Sequence, residues 1–229
     1  MADIRKFSGR DEALTEFINR RIVSELAITS DDCLVDIGCG DGTLLRLAEQ
    51  NGATSVIGLS GSEEEADCLR QRGLNVKQAH TDLLPLPSGS ASVVVCNGVL
   101  HIVPPEKVPI SLREIARIAK TGARIWIGEI PPFREAASLR AFKSVHVMLW
   151  WLLRNRGLRT FLGMLRRLLT GAQRGPILAT AQAFWSEPDE FIRMAAEAGL
   201  TIERHFPQKL PHNYPPGTTA RNDYVFRKQ

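Results

Sequence analysis

The chain has 229 residues, 44% of them hydrophobic and 24% charged, and a formal net charge of +4. That suits one α/β domain carrying an insertion, large enough to bury its core without disulfides or metals, and it argues against two independent domains. Cys33, Cys39, Cys68 and Cys96 form no C-x-x-C pair and the histidines do not cluster, so neither a zinc site nor a disulfide framework is expected, as suits a reducing cytoplasm.

Residues 11–27 place Leu14, Phe17, Ile18, Ile22 and Leu26 on one helical face, a lead-in helix before the first strand. Residues 33–35 read as a buried parallel strand. It runs into Asp36-Ile37-Gly38-Cys39-Gly40-Asp41-Gly42, where glycine stands at every second position, and Thr43, Leu44, Leu45, Leu47 and Ala48 then take helical spacing. The amides opening that helix point back at the turn, so the turn is built for close approach of a ligand to backbone.

Residues 56–59 read as a second strand, followed by the acidic helix start Ser62-Glu63-Glu64-Glu65, whose carboxylates favour a helix N-terminus. Residues 75–79, 93–96 and 124–129 read as the third, fourth and fifth strands, with 108–119 helical between the last two. The alternation predicts an α/β fold with a doubly wound, mostly parallel sheet and ligands at the C-terminal ends of its strands.

A basic stretch follows: residues 131–185 hold nine cations against one acid, a net of about +8, leaving the remainder mildly acidic. Within it, 145–153 is apolar but too short to span a bilayer, and Leu158, Phe161, Leu162, Leu165, Leu168 and Leu169 form a stripe with Arg159, Arg166 and Arg167 off it. Glu187-Pro188-Asp189-Glu190 then opens a helix that stops at Gly199, and 201–206 with 224–227 read as an antiparallel pair. The polar start, Met1 to Lys6, gives no secretory signal, so a cytoplasmic location is expected, with a membrane-peripheral one open.

The G-x-G-x-G spacing, with Asp36 two residues ahead of it, differs from the dinucleotide fingerprint and resembles motif I of the class I S-adenosylmethionine-dependent methyltransferases. Leu84-Pro85-Leu86-Pro87-Ser88, the run from Val93 through Asn97-Gly98 to His101, Leu112-Arg113-Glu114-Ile115-Ala116 and Lys120-Thr121-Gly122 resemble the branch that includes quinone, sterol and sugar methyltransferases. The resemblance implies a Rossmann-like methyltransferase fold with an antiparallel C-terminal strand. It divides the chain into a cofactor-binding core (1–130), a helical lid insert (131–186) and a completion of the core (187–229). S-adenosyl-L-methionine is the implied cofactor, with no metal. Its implied binding residues are Asp36, Gly38, Cys39, Gly40, Gly42, Leu59, Ser60, Thr81, Asp82, Leu83, Asn97 and Gly98. In that reading the glycine turn cradles the methionine part and Asp36 holds its ammonium group.

Two positions depart from the family. Its acid at the end of the second strand, which grips the ribose hydroxyls, is replaced by Ser60, a weaker acceptor, and the acid near adenine by His80, with Asp82 two residues on. Compensating contacts, with Glu63 close in sequence to Ser60, are the preferred reading; weakened affinity and a degenerate site stay open. Ser92 stands where an aspartate of structural role is common.

Methyl transfer needs alignment and exclusion of water, and a base only if the acceptor is protonated. His101 is the leading candidate base and Glu129 a second; a histidine satisfied by the following helix and a structural ion pair are the respective alternatives. The expected function is methyl transfer to a small or amphiphilic acceptor, oxygen preferred, against a non-catalytic protein that kept the fold. For the insert, a lid, a surface that docks on anionic membrane to reach a lipid-linked acceptor, and a homodimer contact stay open. A nucleic-acid substrate fits less well, since the cations are interleaved with apolar stripes.

Overall fold

The computed structural model describes residues 12–132, 184–208 and 221–229, and between them 145–147, 149–150, 153–154, 158, 161–162 and 165–166. Most of the 131–186 insert, and with it the choice among lid, membrane surface and dimer contact, therefore lies outside the described residues.

In chain order the elements are α1 (Glu12–Glu25), β1 (Cys33–Ile37), α2 (Thr43–Gln50), β2 (Ser55–Ser60), α3 (Glu63–Arg70), β3 (Val76–Gln78) and β4 (Ala91–Asn97). Two short 3-10 turns, Leu100–Ile102 and Pro105–Lys107, lead into α4 (Val108–Ile118), followed by β5 (Ala119–Ile130), α5 (Pro188–Glu197), β6 (Leu200–Pro207) and β7 (Asn222–Lys228). The strands form one seven-stranded sheet in the order β3-β2-β1-β4-β5-β7-β6. Strands β1 to β5 pair in parallel, whereas β7 is antiparallel to both β5 and β6, so a C-terminal antiparallel pair closes one edge as expected.

The central strands read as continuous apolar runs because both faces of the sheet are covered. On β4, Val93, Val94, Val95 and Cys96 are all fully buried. Val94, Cys96, Ile125 and Ile127 pack with Leu112 and Ile115 of α4 and Phe191 of α5. On the other face Leu34, Val95, Trp126 and Val225 pack with Ile18 and Ile22 of α1 and Leu45 of α2. The buried stripe of α1 follows Leu14, Ile18, Ile22 and Leu26, four residues apart; Phe17 lies a residue off it and is 42% exposed, correcting its assignment to the buried face.

At the N-terminal end of the strands Ser92 has the structural role expected of its position. Its hydroxyl donates to Asp32 (2.8 Å) and accepts from the Cys33 amide (2.9 Å), while Arg124 pairs with the same carboxylate. Burial pushes the Asp32 carboxyl up, but hydrogen bonds from Thr29, Arg124 and Ser92 outweigh it and hold the group below the usual carboxylate range. This brace fixes one end of β1 and β4 and leaves the other end to the glycine turn.

Candidate active site

The turn after β1 hangs from the end of β2. The amides of Gly38 and Cys39 both donate to the Leu59 carbonyl (2.8 and 3.1 Å), and the Gly42 amide to the Cys39 carbonyl (2.9 Å). Two of its glycines serve different purposes. Gly42, with φ of 78°, caps α2, and an added Cβ would lie 2.4 Å from Leu74 Cδ1; Gly40, with φ of 52°, faces open space, with nothing within 4 Å of an added Cβ. The first is required by packing, and the second leaves room on the face of the turn that a ligand would approach.

Asp36 ends β1 beside this turn and is only 5% exposed. Burial, with a contribution from the charge of Asp41, pushes its carboxyl up to about 7. Burial also raises the Cys39 thiol, reinforced by the charges of Asp36 and Glu65, so these carboxylates crowd around the turn. Among the described residues no lysine or arginine forms an ion pair with Asp36, Asp41 or Glu65. The site thus holds a buried, uncompensated carboxylate, the environment a cationic ligand would relieve.

Ser60, the last residue of β2, is 1% exposed. Its hydroxyl accepts the Ser62 amide (3.1 Å) and lies 2.5 Å from Glu65 Oε2. Glu63, expected to help Ser60, instead pairs with Arg70 at 2.6 Å. The correction has a helical cause: the Ser62 side chain caps α3 by accepting the Glu65 amide, which sets Glu65 on the turn facing β2. The Ser62-x-x-Glu65 capping-box spacing was the available signal for it.

The loop after β3 is held from α4. Ser111 Oγ donates to Thr81 Oγ1 (2.8 Å), and Lys107 Nζ pairs with Asp82 Oδ2 at 2.8 Å and holds that carboxyl below its ordinary value. His80 is exposed and bridged to Leu83, whose side chain is 76% exposed. Asp82, read from the sequence as the contact that replaces an acid at position 80, thus has its carboxylate engaged by lysine.

At the ends of β4 and β5 the Asn97 side chain is a bridge. Its Oδ1 accepts from Trp126 Nε1 (3.1 Å) and its Nδ2 donates to Glu129 Oε1 (3.2 Å). The Gly98 amide donates to the Gly128 carbonyl (3.1 Å). A Cβ on Gly128 would stand 2.1 Å from Asn97 Oδ1 and 2.4 Å from Trp126 Nε1, so the bridge exists because residue 128 has no side chain. The next residue, Glu129, has φ of 65°, a left-handed conformation that costs a non-glycine residue about 1–2 kcal/mol.

That conformation is held from far along the chain. Asp223 on β7 accepts the Glu129 amide (3.0 Å) and pairs with Arg21 of α1 (3.2 Å), while Arg221 Nη1 lies 3.6 Å from Glu129 Oε2. The pairing of β5 with β7 shifts register between Ile127 and Ile130, so the strand is bulged where Glu129 sits. His101, in the first 3-10 turn, is 2% exposed, and its carbonyl accepts the Phe184 amide (3.1 Å). Asp36, the glycines, Leu59, Ser60, Asn97, Gly98 and Glu129 thus occupy the C-terminal ends of neighbouring strands, where ligands bind in doubly wound sheets.

Residues 35–127 match a family model described as a methyltransferase domain. Residues 35–127 therefore carry a methyltransferase domain. The chain is 26% identical over 201 residues to an uncharacterized methyltransferase of Schizosaccharomyces pombe, covering 85% of this chain and 68% of that one. It is 30% identical over 139 residues to 27-O-demethylrifamycin SV methyltransferase of Amycolatopsis mediterranei, covering 57% of this chain and half of that one (50%). Among solved structures, magnesium protoporphyrin IX methyltransferase from Synechocystis superposes with a TM-score of 0.60 at 16% identity, covering 95% of this chain and 84% of that one. The family match and the methyltransferase relatives support a methyl-transferring enzyme. Among the described residues no helix is long and apolar enough to cross a membrane.

Proposed function

We propose that this methyltransferase carries a methyl group to oxygen on a small or amphiphilic acceptor. The observation that carries the reading is Asp36, a buried carboxyl pushed up to about 7 with no cationic partner, beside a turn whose Gly40 face is open. A cation is what such a group lacks. S-adenosylmethionine fits that environment, and when bound it supplies a methyl group on a sulfonium for in-line displacement.

The chain's own residues would share the work as follows. Asp36 neutralises the cofactor's ammonium, and the backbone from Gly38 to Gly42, with Cys39 between, cradles its methionine part. Leu59 and Ser60 form the neighbouring wall. Thr81, Asp82 and Leu83 border the adenine side, with Asp82 acting through a loop pinned by Lys107 and Ser111. Asn97 has both ends of its side chain engaged, so its part is to stiffen the strand end and present Gly98 backbone.

On the acceptor side, Glu129 is aimed by a strained backbone, and strain retained at the end of a strand argues for a working residue. Glu129 and His101 are the candidate groups for taking a hydroxyl proton, which oxygen methylation requires and methylation of a free amine does not. The relative named for an O-demethylated substrate supports oxygen. An amphiphilic acceptor is supported by the insert, where Trp150, Leu153, Leu158 and Leu162 are 43–60% exposed within a stretch rich in arginine. In this reading 1–130 binds cofactor, 131–186 covers or recruits the acceptor, and 187–229 completes the core.

The test is calorimetric titration with S-adenosylmethionine, followed by mass spectrometry of hydroxylated lipophilic metabolites incubated with labelled cofactor. Binding with label recovered on oxygen is the expected result. No heat at millimolar ligand would instead favour a fold kept without catalysis; label on nitrogen or carbon would remove the oxygen assignment.

A further inference from the structure

The end of β2 carries no acid, yet a carboxylate stands there. Ser60 Oγ is 2.5 Å from Glu65 Oε2, and the same hydroxyl accepts the Ser62 amide at 3.1 Å. In an ordinary capping box the glutamate three residues past the cap would itself accept that amide. Here Ser60 takes the amide, so the Glu65 carboxylate is released from capping and turned toward the strand end. Only one of its oxygens is engaged; among the described residues Oε1 has no hydrogen-bond or ion-pair partner.

The surroundings point toward a ligand. Glu65 is partly buried, and burial raises its carboxyl against the pull of the Ser60 hydrogen bond. Gly61, directly after Ser60, faces open space, with nothing within 4 Å of an added Cβ. Ser60 follows directly on Leu59, whose carbonyl carries the glycine turn, so the carboxylate belongs to the same end of the sheet as Asp36. The groups differ in what they can do. Asp36 is deeply buried and suits a fixed cation, whereas Glu65 offers an accepting oxygen at the open side, which suits hydroxyl donors.

We propose that Glu65, steered by Ser60, is the carboxylate that accepts the ribose hydroxyls of the cofactor, a role carried here by the helix after β2 rather than by the strand itself. This rests on the reading of the glycine turn as the cofactor site. Ser60 is then a positioning residue: it relieves Glu65 of capping and fixes one of its oxygens. The sequence Ser60-Gly61-Ser62-Glu63-Glu64-Glu65 is the local device, Ser62 capping the helix and Ser60 taking the amide that the glutamate of a capping box usually accepts.

The experiment is calorimetric titration of the wild type, Glu65→Gln and the double variant Ser60→Asp/Glu65→Gln with S-adenosylhomocysteine and with its 2′,3′-dideoxy analogue. Loss of a hydrogen bond to a charged group corresponds to about tenfold or more in affinity. Glu65→Gln is expected to lose that factor for S-adenosylhomocysteine while binding the dideoxy analogue as the wild type does, and the double variant, with an acid on the strand, is expected to regain most of it. Equal affinity of wild type and Glu65→Gln for S-adenosylhomocysteine overturns the proposal while leaving the cofactor site standing. An equal loss on both ligands also overturns it, since Glu65 would then act on the fold or on another part of the cofactor. If the wild type binds neither ligand, the cofactor reading itself falls and takes the proposal with it.

Discussion

Replacing Asp36 with Asn should stabilise the protein and disable it at once. Burial raises the Asp36 carboxyl from 3.8 to about 7, so between those values the folded state holds a proton that the unfolded chain has released. For an acid raised in this way stability falls as pH rises through the window, and the loss is complete above about pH 7. The displacement from 3.8 to about 7 corresponds to about 4 kcal/mol. Urea denaturation of wild type and Asp36→Asn at several pH values reads this directly. Near pH 4 the two should unfold alike, and the variant's advantage should grow to roughly 4 kcal/mol by pH 7 and then level off. Binding should run the other way: wild-type affinity for S-adenosylhomocysteine, whose ammonium needs the ionised carboxylate, should rise about tenfold from pH 6 to pH 8, and the variant should bind weakly with no such rise. A variant that is less stable than the wild type at pH 8, or a stability difference independent of pH, would refute the argument that this carboxylate is buried at a cost the ligand relieves.

Two further substitutions test the backbone around the site. Gly42→Ala puts a Cβ 2.4 Å from Leu74 Cδ1 at a left-handed position, whereas Gly40→Ala meets no neighbour. Thermal unfolding should therefore show about 2 kcal/mol or more lost at position 42 and about 1 kcal/mol at position 40, with calorimetry showing the larger loss of cofactor affinity at 40; the reverse order would contradict the division of roles. Gly128→Ala drives a Cβ into the Asn97 to Trp126 hydrogen bond and within 3.0 Å of Asp223 Oδ1. A loss of about 2–4 kcal/mol in urea denaturation is expected, and an unchanged midpoint would mean the bridge has room to move.

What the sequence reveals and what it hides divide along the range of the interactions. Residues 33–48 spell out strand, turn and helix because each element is signalled within its own few residues, by an apolar run, by spaced glycines and by helical periodicity. The antiparallel pair at 201–206 and 224–227 is legible for the same reason. Phe17 misleads because apolar character alone does not fix the angle at which α1 meets the sheet; the stripe of Leu14, Ile18, Ile22 and Leu26 does. Glu65 is missed in favour of Glu63 because the direction of its side chain depends on Ser60 having already satisfied the Ser62 amide. The bridge from Asn97 to Trp126 spans 29 residues, and that from Asp223 to Glu129 spans 94. No local pattern encodes either, so the conformation of Glu129 and the commitment of Asn97 appear only in three dimensions.

The place of β7 between β5 and β6 has a consequence for how the molecule is made. The carboxylates and glycines around the turn lie between Asp36 and Glu65, and their strands can pair soon after that stretch leaves the ribosome. Glu129 waits for Asp223, which is synthesised 94 residues later. The stretch from Asp36 to Glu65, proposed above to hold part of the cofactor, can thus form before Glu129, whose geometry is finished only when β7 slots into the sheet. Until then, the nascent chain carries the glycine turn and its carboxylates but no settled geometry at Glu129.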